Sequence, residues 1–259
     1  MNVFLLAKKI ANWDKFPVTG FVMLFILWEI VSLSGILNSF LFPSPVSVIE
    51  RFFELFLRAE IFTDLSSTLI KIFTAIIFGS AIGFGIGVLL ARWEFVYKSL
   101  SPMLDFFRSI PATALFPLFL IIIGAGDLTN TALVMWVCAI YLSLYVSKGL
   151  RSTSEDYLLM ARSLRKSNLE IFLHVRLREA LPFIFVGLRT AVSLAVVVII
   201  VTEMFIGTSH GLGKALIDAA YSYDMTKLYA TIIIVGLIGY FLNRAVIYAE
   251  GKMVHWEGK

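Results

Sequence analysis

The sequence has 259 residues, of which 59% are hydrophobic and only 15% are charged, and its mean hydropathy is +0.89. Ordinary soluble domains are roughly 45–50% apolar, so this composition excludes such a domain and indicates an integral membrane protein. The net charge of +4 does not require a nucleic-acid partner, because basic residues gather in the loops on the inner face of a membrane.

Six apolar runs are each about 20 residues long, which is enough to cross roughly 30 Å of hydrocarbon. They cover residues 18–37, 69–91, 104–124, 129–149, 183–205 and 226–249. The first run is longer than the apolar core of a signal peptide, so it is predicted to be a retained helix. The sequence therefore predicts an all-α integral membrane protein with six transmembrane helices.

The basic residues predict an orientation, because Lys and Arg are enriched on the cytoplasmic side of a membrane. With the N-terminus inside, 17 of the 22 Lys and Arg residues, among them Lys8, Lys9 and Lys15, fall on the inner side and five on the outer side. We therefore expect a multi-pass protein of the cytoplasmic (inner) membrane, with cytoplasmic segments 1–17 and 250–259 flanking a transmembrane domain at 18–249.

Two segments carry further structural signals. After Pro43 and Pro45, the stretch "FPSPVSVIERFFELFLRAEIF" has apolar residues at helical spacing, which predicts an extended segment and then an amphipathic helix at the outer surface. The second apolar run is rich in glycine, and small residues let helix backbones approach closely in lipid. We expect a neighbouring helix to pack on this face, which holds Gly79, Gly83, Gly85 and Gly87.

Four residues within the apolar runs are candidates for a solute pathway or gate. Pro111 and Pro117 should kink or interrupt the third span, which either a lined pathway or simple bundle packing would tolerate. Glu29 and Glu203 lie within or near the end of apolar runs, where a carboxylate costs several kcal/mol unless it is paired or hydrated. A cap or interhelix hydrogen bond for Glu203, and a polar partner for Glu29, are the structural alternatives.

Charged residues concentrate in "EDYLLMARSLRKSNLEIFLHVRLREALP", residues 155–182. The strings 152–155 and 167–170 both fit the capping-box pattern, in which a hydroxyl and a carboxylate satisfy the free amides of a helix start. We expect a helix-turn-helix whose first helix ends at Arg165 and Lys166 and whose second ends at Pro182, where the fifth span begins. The first helix has an apolar stripe of Tyr157, Leu158, Met160, Ala161 and Leu164, which fits either a docking face or a free amphipathic loop.

Two motifs fail as catalytic or nucleotide sites. The string closest to a phosphate-binding loop, "SHGLGKA", lacks the leading glycine and the terminal hydroxyl. "GTSHG" at 207–211 matches G-x-S-x-G and places His210 beside Ser209, but that motif requires a strand, a turn and a helix in an α/β sheet. A glycine-rich outer turn is the better interpretation. His174, His210 and His255 are too scattered for a metal site.

The chain resembles the permease subunit of binding-protein-dependent ABC importers, in the branch that handles nitrate, sulfonates, taurine, bicarbonate and thiamine precursors. The resemblance extends from residue 42 to the C-terminus, and the following strings carry it: "FPSP", "RSIPATALFPLFLIIIGAGD", "EDYLLMARSL", "IFLHVRLREALPFIFVGLRTA", "VTEMFIGTSHGLG" and "ATIIIVGLIGYFLNRAV". The resemblance implies a type I importer permease fold with a cytoplasmic coupling loop at 150–182, which carries the EAA signature and docks on an ATPase.

The residues that match the coupling helix are Glu155, Tyr157, Leu158, Met160, Ala161, Leu164 and Arg165. Arg165 stands where the family signature has glycine. If that glycine serves a positive φ, another residue costs on the order of 1–2 kcal/mol there. We therefore expect Arg165 either to pair with an acidic residue of the ATPase or to mark a turn of different geometry.

The resemblance also implies partners and a mechanism. It implies a homodimer of this chain, two cytoplasmic ATP-binding subunits that hold ATP and Mg²⁺, an outer solute-binding protein, and no cofactor or catalytic residue in this chain. A small solute of the sulfonate, taurine, nitrate, bicarbonate or pyrimidine type would pass by alternating access. The rival interpretations are an intramembrane serine hydrolase using Ser209 and His210, and a membrane anchor or sensor that docks an ATPase without transport.

Overall fold

The computed structural model describes residues 16–205 and 208–254, and regular secondary structure in those ranges is helical throughout. Segments 1–15 and 255–259, which include the predicted inner Lys8, Lys9 and Lys15, lie outside the described residues. The α-helices are α1 (Phe16–Leu33), α2 (Pro45–Leu57), α3 (Phe62–Arg92), α4 (Glu94–Ser109), α5 (Phe116–Ile123), α6 (Asp127–Arg151), α7 (Glu155–Ser163), α8 (Asn168–Ile171), α9 (Leu177–Phe205), α10 (Leu212–Tyr221) and α11 (Met225–Met253). A 3₁₀ turn at Ala112–Leu115 precedes α5, and a π-helical segment at Phe172–Arg176 joins α8 to α9.

The expected all-α membrane fold is confirmed. Four stretches are long and apolar enough to cross a membrane: α3, α6, α11 and the continuous helical stretch Asn168–Phe205. They contain the second, fourth, sixth and fifth predicted runs. α4 and the stretch Ala112–Ile123 meet these criteria only as a bent pair, and the apolar part of α1, Thr19–Leu33, is shorter than a full span. The count of six spans therefore stays a prediction.

The third predicted run, 104–124, is interrupted, as its prolines predict. α4 ends at Ser109, Ile110 and Pro111 have extended backbone angles, and the two halves meet with a bend of 92°. Proline excludes its preceding residue from the α region, so Pro111 interrupts the span as expected. Pro117 lies in the first turn of α5, where its missing amide removes no helical hydrogen bond.

The prediction that the second helix of the loop ends at Pro182 is wrong. Helical structure continues from Asn168 through Pro182 to Phe205. A proline inside a helix removes one backbone hydrogen bond, and burial of Ala180 and Phe185 on either side favours continuity of this helix.

The predicted packing of the glycine-rich helix is confirmed. A Cβ atom on Gly79 would lie 2.6 Å from the carbonyl oxygen of Met135 in α6, and a Cβ on Gly83 would lie 2.6 Å from that of Ala139. These glycines therefore let the backbones of α3 and α6 come into direct contact. Gly85 is on another face, where a Cβ atom would have no neighbour within 4 Å.

α6 lies at the centre of the bundle, because α9 packs on it as well as α3. Gly187 of α9 faces Tyr145, and Gly149 of α6 faces Ala180. The apolar window of α6 is 67% buried, against 17% for α11. We call the end of the bundle beyond the C-terminus of α6 the α7 end, and the opposite end, where α9 leads into α10, the α10 end.

The predicted amphipathic helix after Pro43 is confirmed as α2. The Ser44 hydroxyl caps it by accepting a hydrogen bond from the Ser47 amide at 3.2 Å. Val48 and Leu55 are fully buried, whereas Arg51 on another face of α2 forms ion pairs with carboxylates. Burial of one face against the bundle explains why this helix forms outside the long spans.

Candidate functional site

Three residues, 152–154, separate α6 from α7 at the α7 end. The predicted capping box at 152–155 is wrong, because Ser152 still belongs to the end of α6: its amide donates to Lys148 O at 3.0 Å and its hydroxyl to Gly149 O at 2.9 Å. The N-cap of α7 is Ser154, whose hydroxyl accepts from the Asp156 amide at 3.3 Å. α7 therefore begins at Glu155.

The predicted apolar stripe of α7 divides into two faces. Leu158 and Ala161 are buried, and both pack with Ile171 and Val175 of the same chain. The small side chain of Ala161 thus allows the close approach of α7 to α8 within this chain. The rest of the stripe is exposed: Tyr157 by 48%, Met160 by 57% and Leu164 by 66%. We call these three side chains the α7 patch.

Arg165 has the positive φ, +54°, that would suit a glycine. The Arg165 amide donates to Arg162 O and the Lys166 amide donates to Ala161 O, which is the hydrogen-bond pattern of a Schellman motif. The turn therefore has the geometry that a glycine would give, and the expectation of a different turn geometry is wrong. The Arg165 side chain is exposed.

The second predicted capping box, at Ser167 and Glu170, is confirmed. The Ser167 amide donates to the Glu170 carboxylate at 2.9 Å, and Lys166 Nζ lies 2.9 Å from the same carboxylate. The Ser167 amide and the Lys166 ammonium together hold the pKa of Glu170 at about 2. Charge-assisted hydrogen bonds to both oxygens of the Glu170 carboxylate thus fix the link between α7 and α8.

A groove of about 1020 Å³ runs beside the α7 patch, between α7, the start of α9 and the C-terminus of α11. Its apolar walls include Met160, Leu164, Leu181 and Met253, and its charged rim includes Lys166 and Glu179. An exposed apolar patch rimmed by polar groups is typical of a protein interaction site.

The interrupted span around Pro111 borders a second cavity, of about 270 Å³. It is lined by Phe107, Trp136 and Tyr141 with Arg108 among them. Non-helical backbone at membrane depth is tolerated where protein or a water-filled cavity surrounds it. Pro111 lines this cavity and Pro117 does not. Only one of the two prolines predicted as pathway candidates therefore borders the cavity.

Glu203 lies in a buried polar network at the α10 end, as the interhelix alternative requires. Its side chain is 0% exposed. Lys71 Nζ lies 2.8 Å from Glu203 Oε1, the Thr68 hydroxyl 2.9 Å from Oε2, and the Gly213 amide donates to Oε2 at 3.0 Å. A Cβ on Gly211 would lie 2.5 Å from Glu203 Cδ, so the glycine-rich turn can close over this carboxylate only because it lacks side chains there.

Lys71 is the residue that the sequence interpretation missed, since it was counted as an outer basic residue. Its ammonium has three acceptors: Glu203, Asp127 Oδ1 at 2.9 Å and His210 O at 3.1 Å. These satisfy all three of its N–H donors. The available signal was its position inside the predicted run 69–91, where a cation requires a partner.

Glu29 in α1 is different, because the structure gives its Oε2 no hydrogen-bond partner. This oxygen is shielded from solvent, and no partner for it occurs among residues 16–205 and 208–254. The structure does not bring Glu29 into the Glu203 network, so the two carboxylates are separate candidates.

The described turn does not favour a nucleophile site at Ser209 and His210. The described part of their motif, 208–211, follows a helix rather than a strand, and Gly207 lies outside the described residues. His210 Nδ1 lies 3.8 Å from Asp64 and the His210 carbonyl accepts from Ser67, whereas no hydrogen bond joins Ser209 to His210 in the described turn. Within residues 16–205 and 208–254 there is also no group of three or more His, Cys, Asp or Glu side chains suited to a metal ion.

Relatives with named functions match nearly the whole chain. The nitrate import permease NrtB of Synechocystis is 26% identical over 94% of this chain and 90% of its own. The formylaminopyrimidine transport permease ThiX of Halalkalibacterium halodurans is 28% identical over 94% of this chain and 96% of its own. Among solved structures, a chain of the inward-facing MetNI methionine ABC transporter superposes with a TM-score of 0.62 at 21% identity, over 80% of this chain and 97% of that chain.

The family model described as "Binding-protein-dependent transport system inner membrane component" matches residues 83–254. This range contains the α7 patch, the interrupted span and the Glu203 side of the buried network. The likeness to the MetNI chain agrees with a type I ABC permease fold. The chain therefore belongs to the binding-protein-dependent ABC transport permeases, the membrane subunits of this transport system.

Proposed function

We propose that this chain forms, with a second copy of itself, the translocation pathway of an ATP-driven importer of small solutes, and that α7 is its coupling helix. Two ATPase subunits, which hold ATP and Mg²⁺, bind at the α7 end on the cytoplasmic side. A solute-binding protein delivers the solute at the α10 end. Both chain termini are then cytoplasmic.

The α7 patch is the observation that carries this proposal. Leu158 and Ala161 hold α7 against α8 and the π-helical segment, while Tyr157, Met160 and Leu164 are exposed and line the groove. A helix held rigidly on one face and apolar on another can transmit a push from a docked subunit to α9, which follows α8 without interruption. ATP-driven closure of the two ATPases would thereby move the paired bundles between outward and inward access.

Two leucines of matched exposure test the docking face. Leu164 is 66% exposed and belongs to the α7 patch, whereas Leu159 is 58% exposed on another side of α7. The experiment co-expresses the chain with its ATPase and binding protein, and compares Leu164→Ser with Leu159→Ser. The measurements are ATPase recovered on purification of the tagged permease, and the ATP hydrolysis rate with ligand-loaded binding protein.

Full burial of one leucine contributes roughly 1.5–3 kcal/mol, so Leu164→Ser should weaken ATPase binding at least about tenfold. Leu159→Ser should leave recovery within about twofold of the wild type. Equal recovery with both variants would contradict docking through the α7 patch. Normal recovery with Leu164→Ser together with normal stimulation would place the coupling surface elsewhere on this end, whereas loss of stimulation alone would assign Leu164 to coupling rather than to binding.

We also propose that the interruption at Pro111 lines the solute pathway. Thr113 lines the cavity beside the break, while Leu118, 52% exposed in α5, is absent from it. Since Cys138 is buried, a charged thiol reagent should modify Thr113→Cys in the assembled transporter and leave Leu118→Cys, which we expect to face lipid, unmodified. Modification of Leu118→Cys alone would contradict the assignment.

The solute is a small anion or a small neutral heterocycle. The relatives named for nitrate and for formylaminopyrimidine support this range, and the importer branch extends it to sulfonate, taurine and bicarbonate. Mass spectrometry of the ligand that co-purifies with the stimulating binding protein would identify the solute. A ligand such as a peptide or a long-chain lipid would contradict the proposed class.

A further inference from the structure

A second cleft at the α7 end, of about 720 Å³, is lined by three arginines over an apolar floor. Arg92 comes from the end of α3, Arg162 from α7 and Arg176 from the π-helical segment. The floor contains Val88, Ala91, Leu150 and Phe172. Tyr157, Met160 and Leu164 do not line this cleft, so it is separate from the α7 patch.

These arginines lack the carboxylate partners that other cations at this end have. Arg151 is paired with Glu94, and Lys166 with Glu170. No ion pair involves Arg92, Arg162 or Arg176 within residues 16–205 and 208–254, and no Asp or Glu lines the cleft. Three guanidinium groups around one cleft without a carboxylate create a site of positive potential that favours an anion.

The length of α3 and the neighbouring Trp93 are consistent with a cleft at the depth of lipid headgroups. α3 has 31 residues and is therefore about 46 Å long, well over the roughly 30 Å of hydrocarbon that it crosses. Its last turn ends at Arg92, directly after the apolar run 69–91 that is predicted to cross the hydrocarbon. The Arg92 guanidinium lies 5.5 Å from the ring centre of Trp93, which is 49% exposed, and tryptophan is enriched at this boundary.

We propose that this cleft binds the phosphate of an anionic membrane lipid. Guanidinium groups hold phosphate oxygens in a bidentate manner, and the apolar floor accepts the first carbons of the lipid chains. Basic pockets between transmembrane helices on the cytoplasmic side have this lipid chemistry. The bound phosphate interacts with Arg92, Arg162 and Arg176, and ties α3 to α7 and to the π-helical segment.

The test uses the full chain in vesicles of phosphatidylcholine with a minor fraction of phosphatidylglycerol, followed by native mass spectrometry of retained lipid. The test variant replaces Arg92, Arg162 and Arg176 with Gln. The control variant replaces Arg178, Arg244 and Lys252, exposed cations outside this cleft, with Gln and has the same net charge. A double variant, Arg92→Gln with Arg162→Gln, covers the case in which the triple variant fails to fold.

The wild type and the control variant should retain one phosphatidylglycerol per chain in preference to phosphatidylcholine. Loss of about fivefold in this preference is expected for each arginine removed. Equal retention of both lipids by the wild type, or equal loss in the control variant, would overturn the proposal. Displacement of the lipid by millimolar inorganic phosphate would instead indicate a free-phosphate site, and displacement by the added ATPase would indicate a protein contact; either result overturns the lipid assignment.

Discussion

Removal of the buried cation Lys71 should destabilise the α10 end far more than loss of a surface lysine. In the variant Lys71→Met, the side chain keeps most of its length and apolar character but loses the ammonium. Glu203, whose side chain is fully buried, then retains only neutral donors from Thr68 and the Gly213 amide. Asp127 and the His210 carbonyl lose their contact with Lys71 as well.

The expected loss follows from the burial of the pair. Breaking a buried ion pair by removing one partner costs about 3–5 kcal/mol, because a charge is left uncompensated. In a chain of this size each kcal/mol corresponds to roughly 2–4 °C in the unfolding midpoint, so a decrease of about 6–20 °C is expected. The double variant Lys71→Met with Glu203→Gln should lose less than the sum of the two single variants, because the residues are in direct contact.

The assay is thermal unfolding of the full chain in detergent, followed by intrinsic tryptophan fluorescence. Lys214→Met is the matched control, since Lys214 forms a partly exposed pair with Asp218 at 2.7 Å, and such surface pairs contribute about 0–1 kcal/mol. Added salt should reduce the decrease in unfolding midpoint caused by Lys214→Met, because salt screens exposed charges, but should not change the decrease caused by Lys71→Met. Equal midpoints for Lys71→Met and Lys214→Met would refute the assigned role of the network.

Three further predictions concern the packing and turns. Gly83→Ala should destabilise the chain by about 1–3 kcal/mol, because its Cβ meets the Ala139 carbonyl. Gly85→Ala should be neutral or stabilise the chain by up to about 1 kcal/mol. The same thermal assay compares the two variants, and equal effects would contradict backbone contact between α3 and α6. Arg165→Gly should relieve the strain of the positive φ and raise the unfolding midpoint, whereas Arg165→Ala should leave it unchanged. If both variants weaken ATPase recovery equally, the Arg165 side chain makes the contact; if neither does, pairing of Arg165 with the ATPase is contradicted. The pKa of Glu170 is lowered to about 2, so the stabilising effect of its carboxylate is present above the ordinary pKa near 4.5 and is lost as the pH falls towards 2. The hydrogen-exchange protection of the Ser167 amide should therefore persist at pH 3.5. Loss of this protection between pH 5 and 4 would contradict the capping box.

Local sequence signals predicted the parts of the site that depend on neighbours in the chain. Helical spacing predicted α2 and α7, and the Ser167–Glu170 pair predicted a real capping box. The box at 152–155 failed because α6 continues to Arg151, and a capping motif cannot reveal whether the preceding helix still occupies its first residue. The break at Pro182 failed for a related reason, since packing on both sides of that proline supports the helix.

The sequence by itself determined that this is an integral membrane protein, where its long spans lie, which face of α3 holds the glycines, that Pro111 interrupts a span, and that the chain belongs to a transport family. Those features follow from composition, from periodicity, and from residues that restrict their own backbone. Only the tertiary structure decided which apolar residues of α7 stay exposed, that Lys71 meets Glu203 across 132 positions of chain, and that three unpaired arginines line one cleft. The physical reason is that such contacts join residues distant in the sequence, and the energy of a buried charge or an exposed leucine depends on what the folded chain places beside it.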